Sequence, residues 1–518
     1  MATIRLSGIK ANPTELKPSY PDFNAPPLSI INKGRVQLGS ARDFGGIVDL
    51  PEIEPDYVAC VEYSDGFKLW TRVDDLYAEH GKSAMRGSGV DPNIWELEPR
   101  ATTSGADRGG AKIVIEALEF FGVDLEAVAA EKLCDWFEKK QLQPKGPGLY
   151  RFEGLSGEFQ LEYLQNQKIP AADKKLLLFV HGTGSSSQGG FAGLWDKANP
   201  LGSTTRLALE NEFKSACFAY EHQSLTISPI ENALAIAEAL PNHAEIYLVT
   251  HSRGGLIGEL LCLGQREMTP DPLADEWLAK VFAPNRDRTQ GELFGFGAKN
   301  PEGYTDQKIQ LRKLLEILDK KQVKVKRFVR VACPARGTTL ASGRLDRWLS
   351  VLSHLSGSND FVEFILGIVK KRTDPRTLPG IEAMMPGSAL ITLLNSTSVK
   401  TQADLTVIAG DIEGHSIWSK LKLQLTDWFY SSEHDLVVNT GSMYGGLTRA
   451  AGAARFFFDQ GINVNHFNYF KNEATVEKLK DGLLRADSYL AGFQPIAAAK
   501  HQEPARGSRT KRSQLSSG

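Results

Sequence analysis

No stretch of the 518 residues approaches the roughly 20 apolar residues that span a bilayer; the longest apolar runs, LLLFV and FVEFILGIV, are short or interrupted. Any membrane contact is therefore expected to be peripheral. The opening residues, MATIRLSGIKANP, lack an apolar h-region behind a basic n-region, so a cytoplasmic location is expected. Charge of one sign is missing too: 60 Lys plus Arg face 62 Asp plus Glu. Without a large field of one sign, nucleic acid is not an expected partner. Cysteine is scarce. Cys60, Cys134, Cys217, Cys262 and Cys333 are scattered and odd in number, without the close pairs a zinc site uses. They read as reduced core residues, and neither a metal nor a cofactor is expected. Neither G-x-x-x-x-G-K-[ST] nor G-x-G-x-x-G occurs, which removes the usual nucleotide-binding loops.

What remains is a globular composition, 42% hydrophobic and 24% charged, able to bury a large core. The length suggests two domains. Residues 1–145 mix short strand-like pieces, YVACVEY and GFKLWTRV, with a helical stretch, AKIVIEALEFFGVDLEAVAAEKLCDWFEKK. They form an expected accessory domain without identifiable chemistry. The turn-rich QLQPKGPG marks the boundary. A hairpin, LYRF and EFQLEYL, follows, and then apolar runs alternate with amphipathic helices: KLLLFV, ACFAY, EIYLVT, RFVRVAC and DLTVIAG. Strands apolar on both faces and separated by helices predict an α/β domain over 146–495, a mostly parallel sheet flanked by helices. Two insertions, about 265–322 and 340–400, are expected to form a cap or lid over a site. Residues 496–518, rich in Ala, Lys, Arg, Ser and Gln, read as a disordered basic tail.

The chemistry concentrates where EIYLVT runs into Thr250-His251-Ser252-Arg253-Gly254-Gly255 and then LIGELLCL. A serine hydroxyl is a poor nucleophile, so it must be held on a sharp turn where a base reaches it and a carbonyl can approach. Ser252 fits that setting, with Thr250 in place of the first glycine of G-x-S-x-G. Serine before a helix is also a common N-cap, the competing interpretation. Upstream, KLLLFV runs into His181-Gly182-Thr183-Gly184, whose turn can present the Thr183 N–H. Together with the Arg253 N–H it would make a two-donor oxyanion hole. His181, Gly182 and His251 are candidate substrate contacts, with bracing of the turn the alternative for both histidines. A surface salt link is the default for Arg253. Further along the chain come candidates for acid and base, Asp435 and His466; Asp411 is the rival acid, and His434 and His415 are the rival bases.

The landmarks HGTG, HSRGG, ACPARGTTLA, MMPGSALITLLN, HDLVVNTGSM and NHFNYF, in this order over about residues 175–470, resemble those of lipase-like α/β-hydrolases. The resemblance implies the α/β-hydrolase fold and places the triad acid on Asp435 and the base on His466. It also implies a carboxylic ester substrate, small or lipid-like, cleaved through an acyl-enzyme. Thioesterase, amidase and acyltransferase chemistry use the same triad and stay open, as does a binding or regulatory module within a larger assembly.

Overall fold

The computed structural model describes residues 1–13, 29–38, 46–64, 68–81, 93–97, 115–124, 134–135, 137–139, 141–142, 145–267, 271, 273–282, 301–337, 350, 378–412, 440–450, 452–461, 469–485 and 492–496. Its N-terminal strands are β1 (Ala2–Ser7), β2 (Ile9–Ala11), β3 (Ser29–Gln37), β4 (Ile47–Ile53), β5 (Val58–Tyr63), β6 (Lys68–Arg72), β7 (Ile94–Leu97) and β8 (Ile115–Asp124). They form a small sheet, β4-β1-β7, and an antiparallel sheet, β2-β3-β8-β5-β6.

Strand β8 corrects the sequence reading, which made residues 111–140 helical. Leu118 and Phe120 enter one apolar cluster with Ile4, Val36 and Leu50. Phe121 and Val123 enter the main core with Val58 and Trp70. A strand buried on both faces shows no polar alternation, so its apolar run is easily taken for a helix. The same packing lays the N-terminal sheet directly on the main core; the Trp70 and Phe121 rings lie 5.6 Å apart.

The main sheet is built from β9 (Gly148–Phe152), β10 (Leu161–Tyr163), β11 (Lys175–Val180), β12 (Cys217–Glu221), β13 (Glu245–His251) and β14 (Lys324–Val331). A two-stranded pair, β15 (Lys400–Thr401) and β17 (Thr448–Arg449), stands beside it. β16 (Leu405–Ile412), β18 (Ala454–Gly461) and β19 (Gln494–Pro495) complete it in the order β10-β9-β12-β11-β13-β14-β16-β18-β19. The six strands from β12 to β18 in that order run parallel. The hairpin β9-β10 and the edge strand β19 are antiparallel. All five strand-like runs of the sequence from KLLLFV onward lie in this sheet. β18 was not anticipated, because its apolar run is only Phe456–Phe458, closed in by Arg455 and Asp459. That arginine is buried and forks onto Asp404 at 2.8 and 3.0 Å.

Two features of the sheet position the site. From β11 the chain goes first to β12 on one side and then to β13 on the other, so a topological switch point lies between β11 and β13. Ligands of open α/β sheets bind outside the carboxyl ends of the strands at such a point. Second, every residue of the helix Gly254–Leu261 that follows β13 is buried, so the turn between them cannot shift freely. The helix Pro301–Lys321, within the first insertion, packs on the helix Pro229–Ala239 and sends Leu311, Leu314 and Leu318 into the main core. Among the described residues no helix is long and apolar enough to cross a membrane.

Candidate active site

Ser252 occupies the turn from β13 into the helix Gly254–Leu261, with φ of 51°. A left-handed backbone costs a non-glycine residue roughly 1–2 kcal/mol and persists only where its surroundings impose it. Those surroundings are specific. The Ser252 N–H donates to the Val331 carbonyl at the end of β14, 2.9 Å away, and the Gly255 N–H donates to the Ser252 carbonyl at 2.9 Å. A Cβ on Gly254 would stand 2.4 Å from the Val180 carbonyl oxygen, and one on Gly182 would stand 2.8 Å from the Ser252 Cβ. Glycine at both positions lets the β11 turn close on the serine. Thr250, the departure from the usual pattern, is buried within β13, opposite Val180 and Arg330. The turn forms without the first glycine.

Arg253 follows this serine, and Thr183 follows Gly182, which closes on the Ser252 side chain. Among the described residues, neither backbone N–H makes a hydrogen bond. The Arg253 side chain is not on the surface: it is fully buried, with Nη2 donating to the Ile227 carbonyl and Nε to the Gly380 carbonyl at 3.2 Å. Burial lowers its pKa to about 9. The surface salt link expected for it is therefore replaced by two backbone anchors that fix the start of the helix. Thr183 Oγ1 donates to Met384 Sδ at 3.5 Å, which brings the end of the second insertion to the site.

His181 has no exposed surface. Its Nε2 accepts the His222 N–H at 3.1 Å, so Nδ1 carries the proton and donates to the Gly182 carbonyl at 2.9 Å. Burial pushes its pKa down to about 3. It is a neutral brace of the loop and, contrary to the candidate role in substrate contact, faces no open space. His251 stacks edge-on against Phe470, with ring centroids 5.7 Å apart. Phe470 in turn meets Phe191 at 4.9 Å.

Beside this brace lies a buried carboxyl. Glu221 Oε1 accepts the Ser187 N–H at 2.9 Å, and Oε2 lies 3.5 Å from His181 Nε2, a contact that is not an ion pair because the imidazole is neutral. Burial raises the Glu221 pKa to about 7, against the hydrogen bonds from Ser187 that lower it. An unfolded glutamate titrates near 4.3. Between these values the folded chain holds a proton that the unfolded chain has lost, so stability falls as pH rises through this window, by on the order of 4 kcal/mol once both states are ionised. Glu221→Gln is therefore expected to stabilise the fold at about pH 8 and to change little at about pH 5. Denaturant midpoints at the two values check this, and equal shifts at both would contradict it.

Asp411 stands near the carboxyl end of β16, opposite Gln460 of β18. Asp435, His466, His434 and His415 lie outside the described residues. Sequence reasoning missed a buried network under the serine turn. Glu259, on the helix after Ser252, pairs with Arg330 of β14 and, at 3.0 Å, with Arg449. Its Oε2 also accepts the Leu447 N–H at 3.1 Å. A lone carboxylate inside the apolar run GGLIGELLCL was the available signal, since such a group is buried only when paired. Among the described residues no cluster of three or more His, Cys, Asp or Glu is disposed to hold a metal.

No curated protein matches the chain. Among solved structures it is similar to lipase BlEst2 of Bacillus licheniformis in its mature form, at 15% identity over 60% of this chain and 91% of that one, with a TM-score of 0.27. It is also similar to lipase 1 from Pelosinus fermentans, at 12% identity over 60% and 99%, with a TM-score of 0.32. A metagenomic carboxyl esterase matches at 14% identity over 61% and 73%, with a TM-score of 0.26. Likenesses this distant carry no argument of their own beside the topology and geometry above. A family profile does match, over residues 152–286 and 309–484. The chain belongs to the DUF7379 family, a domain of unknown function.

Proposed function

We propose that the chain is a serine hydrolase of the α/β-hydrolase fold that cleaves a carboxylic ester, small or lipid-like, through an acyl-enzyme on Ser252. The observation that carries this reading is the backbone of Ser252: a strained, non-glycine turn at the carboxyl end of β13, beside the switch point, closed on by Gly182 of the β11 turn. Six other described non-glycine residues share a positive φ, but at Ser252 it coincides with a serine on a strand-to-helix turn, the setting in which such strain serves a nucleophile. In the reaction His466 takes the Oγ proton as Oγ attacks the ester carbonyl. The Thr183 and Arg253 N–H groups receive the developing oxyanion. Collapse expels the alcohol, which takes its proton from His466, and water then releases the acid with His466 again as base.

The connectivity supports His466 in that role. It precedes Phe470 by four residues, which reach at most roughly 14 Å, and the Phe470 ring packs on His251, next to the nucleophile. Asp435 is the preferred partner of His466, and Asp411 the alternative. Hydrolysis of p-nitrophenyl butyrate by Asp435→Ala and Asp411→Ala decides between them. The triad acid is expected to cost about 10⁴-fold in kcat, with the loss falling on the Asp435 variant and a far smaller one on Asp411. The reverse order would move the acid to Asp411.

A further inference from the structure

The turn after β12, residues 224–227, bonds to Gly184, next to Thr183, and to the Arg253 side chain. The Gly184 N–H, one residue beyond Thr183, donates to Ser224 Oγ at 2.8 Å. Ile227 gives its carbonyl to the Arg253 guanidinium. The Leu225 carbonyl accepts the Gly380 N–H at 2.9 Å, and Gly380 gives its own carbonyl to Arg253. The residue after Thr183 and the side chain of Arg253 are thus both tied to one four-residue turn.

That turn does not hold itself. Its N–H groups point to a single carboxylate from outside the family match: Glu138, almost fully buried. The backbone N–H groups of Ser224 and Leu225 and the Ser224 hydroxyl donate to Glu138 Oε1, while the Thr226 N–H (3.1 Å) and hydroxyl (2.6 Å) donate to Oε2. Asp135, one helical turn earlier, accepts from the Gln223 side chain at 2.7 Å and extends the same attachment. Three consecutive amides converging on one carboxylate form a nest, a rigid arrangement that water would not reproduce.

We infer that Glu138 is a positioning residue of the oxyanion loop, acting through Ser224 on Gly184 and through Ile227 on Arg253, so that the N-terminal part of the chain completes the active site. The inference rests on the proposed hydrolase reading for its catalytic consequence, though not for its structural one. Glu138→Gln puts an NH2 group against the Thr226 donors or the Ser224 and Leu225 amides, whichever way the amide is turned. Ser224→Ala removes the hydroxyl that accepts the Gly184 N–H, and with it the 3.3 Å contact to Glu138 Oε1, while the three backbone amides and the Thr226 hydroxyl keep their bonds to Glu138.

The test uses the full chain, with wild type, Ser252→Ala, Glu138→Gln and Ser224→Ala compared in two assays. In the first, hydrolysis of p-nitrophenyl butyrate, both positioning variants are expected to lose about 10²-fold in kcat with KM changed by less than about threefold, as for a donor needed only in the transition state. In the second, amide hydrogen exchange, peptides covering 181–186 are expected to exchange faster in both variants while those of β13 keep wild-type protection. Folded variants with wild-type kcat, or with unmoved exchange at 181–186, would overturn the inference and leave Glu138 a cap of its own turn. Wild-type protein that neither hydrolyses the ester nor depends on Ser252 would instead defeat the hydrolase reading, and the exchange data would still show whether Glu138 holds the loop.

Discussion

Ser252→Ala is expected to lower kcat by about 10⁶-fold, the loss seen when a nucleophile that works as a unit with its base is removed. The fold is expected to remain. Alanine keeps the Cβ that Gly182 accommodates, and the backbone anchors of the turn, from the Ser252 N–H to Val331 and from the Gly255 N–H to the Ser252 carbonyl, do not involve the side chain. The stability change should stay within about 0.5 kcal/mol. The pair of results matters more than either alone. Lost turnover with an unchanged denaturant midpoint assigns the hydroxyl to chemistry, whereas turnover within tenfold of wild type by the alanine variant would contradict the assignment.

The largest stability effect is expected at Glu259. Its carboxylate is completely buried and is shared by Arg330 and Arg449, themselves inside the core. Arg330 also donates to the carbonyls of Met443 and Gly445, at 2.8 and 2.6 Å, and Arg449 to that of Leu447 at 2.8 Å. Glu259→Ala leaves two buried guanidinium groups without their counter-charge and opens a cavity under the helix that carries the serine turn. Breaking a buried pair by removing one partner costs about 3–5 kcal/mol, a large share of a total stability of about 5–15 kcal/mol. Urea unfolding measures it, and a loss below about 1 kcal/mol would contradict the role given to the network. Because the same arginine holds residues 443–445, just after the segment bearing Asp435, activity is expected to fall along with stability.

The parts of this molecule that were legible in its sequence share a physical cause. Strands buried on both faces leave largely apolar runs, which is why β11, β13 and β16 could be located, and β14 was found from Phe328–Val329 and Val331–Cys333 despite Arg330. Gly182 and Gly254 mark places where two backbones close on each other, so the serine turn announced itself despite Thr250. The same rule misled at β8, where two apolar faces mimic a helix. Glu138 was illegible for another reason. Within EKLCDWFEKK it looks like one more charge on a solvated face, and nothing local says that its donors lie 86 to 88 residues away. Arg253 was misjudged likewise, because carbonyl partners leave no trace in side-chain chemistry. The strand order, and with it the switch point, belongs to pairing and not to composition.

The central claim, an activated Ser252, is tested most directly by exposing the purified full chain to a fluorophosphonate probe and locating the adduct by mass spectrometry. The account predicts rapid modification at Ser252 that is lost in His466→Ala. Folded wild-type protein that stays unlabelled, or that is labelled at Ser252 equally fast without His466, would contradict it.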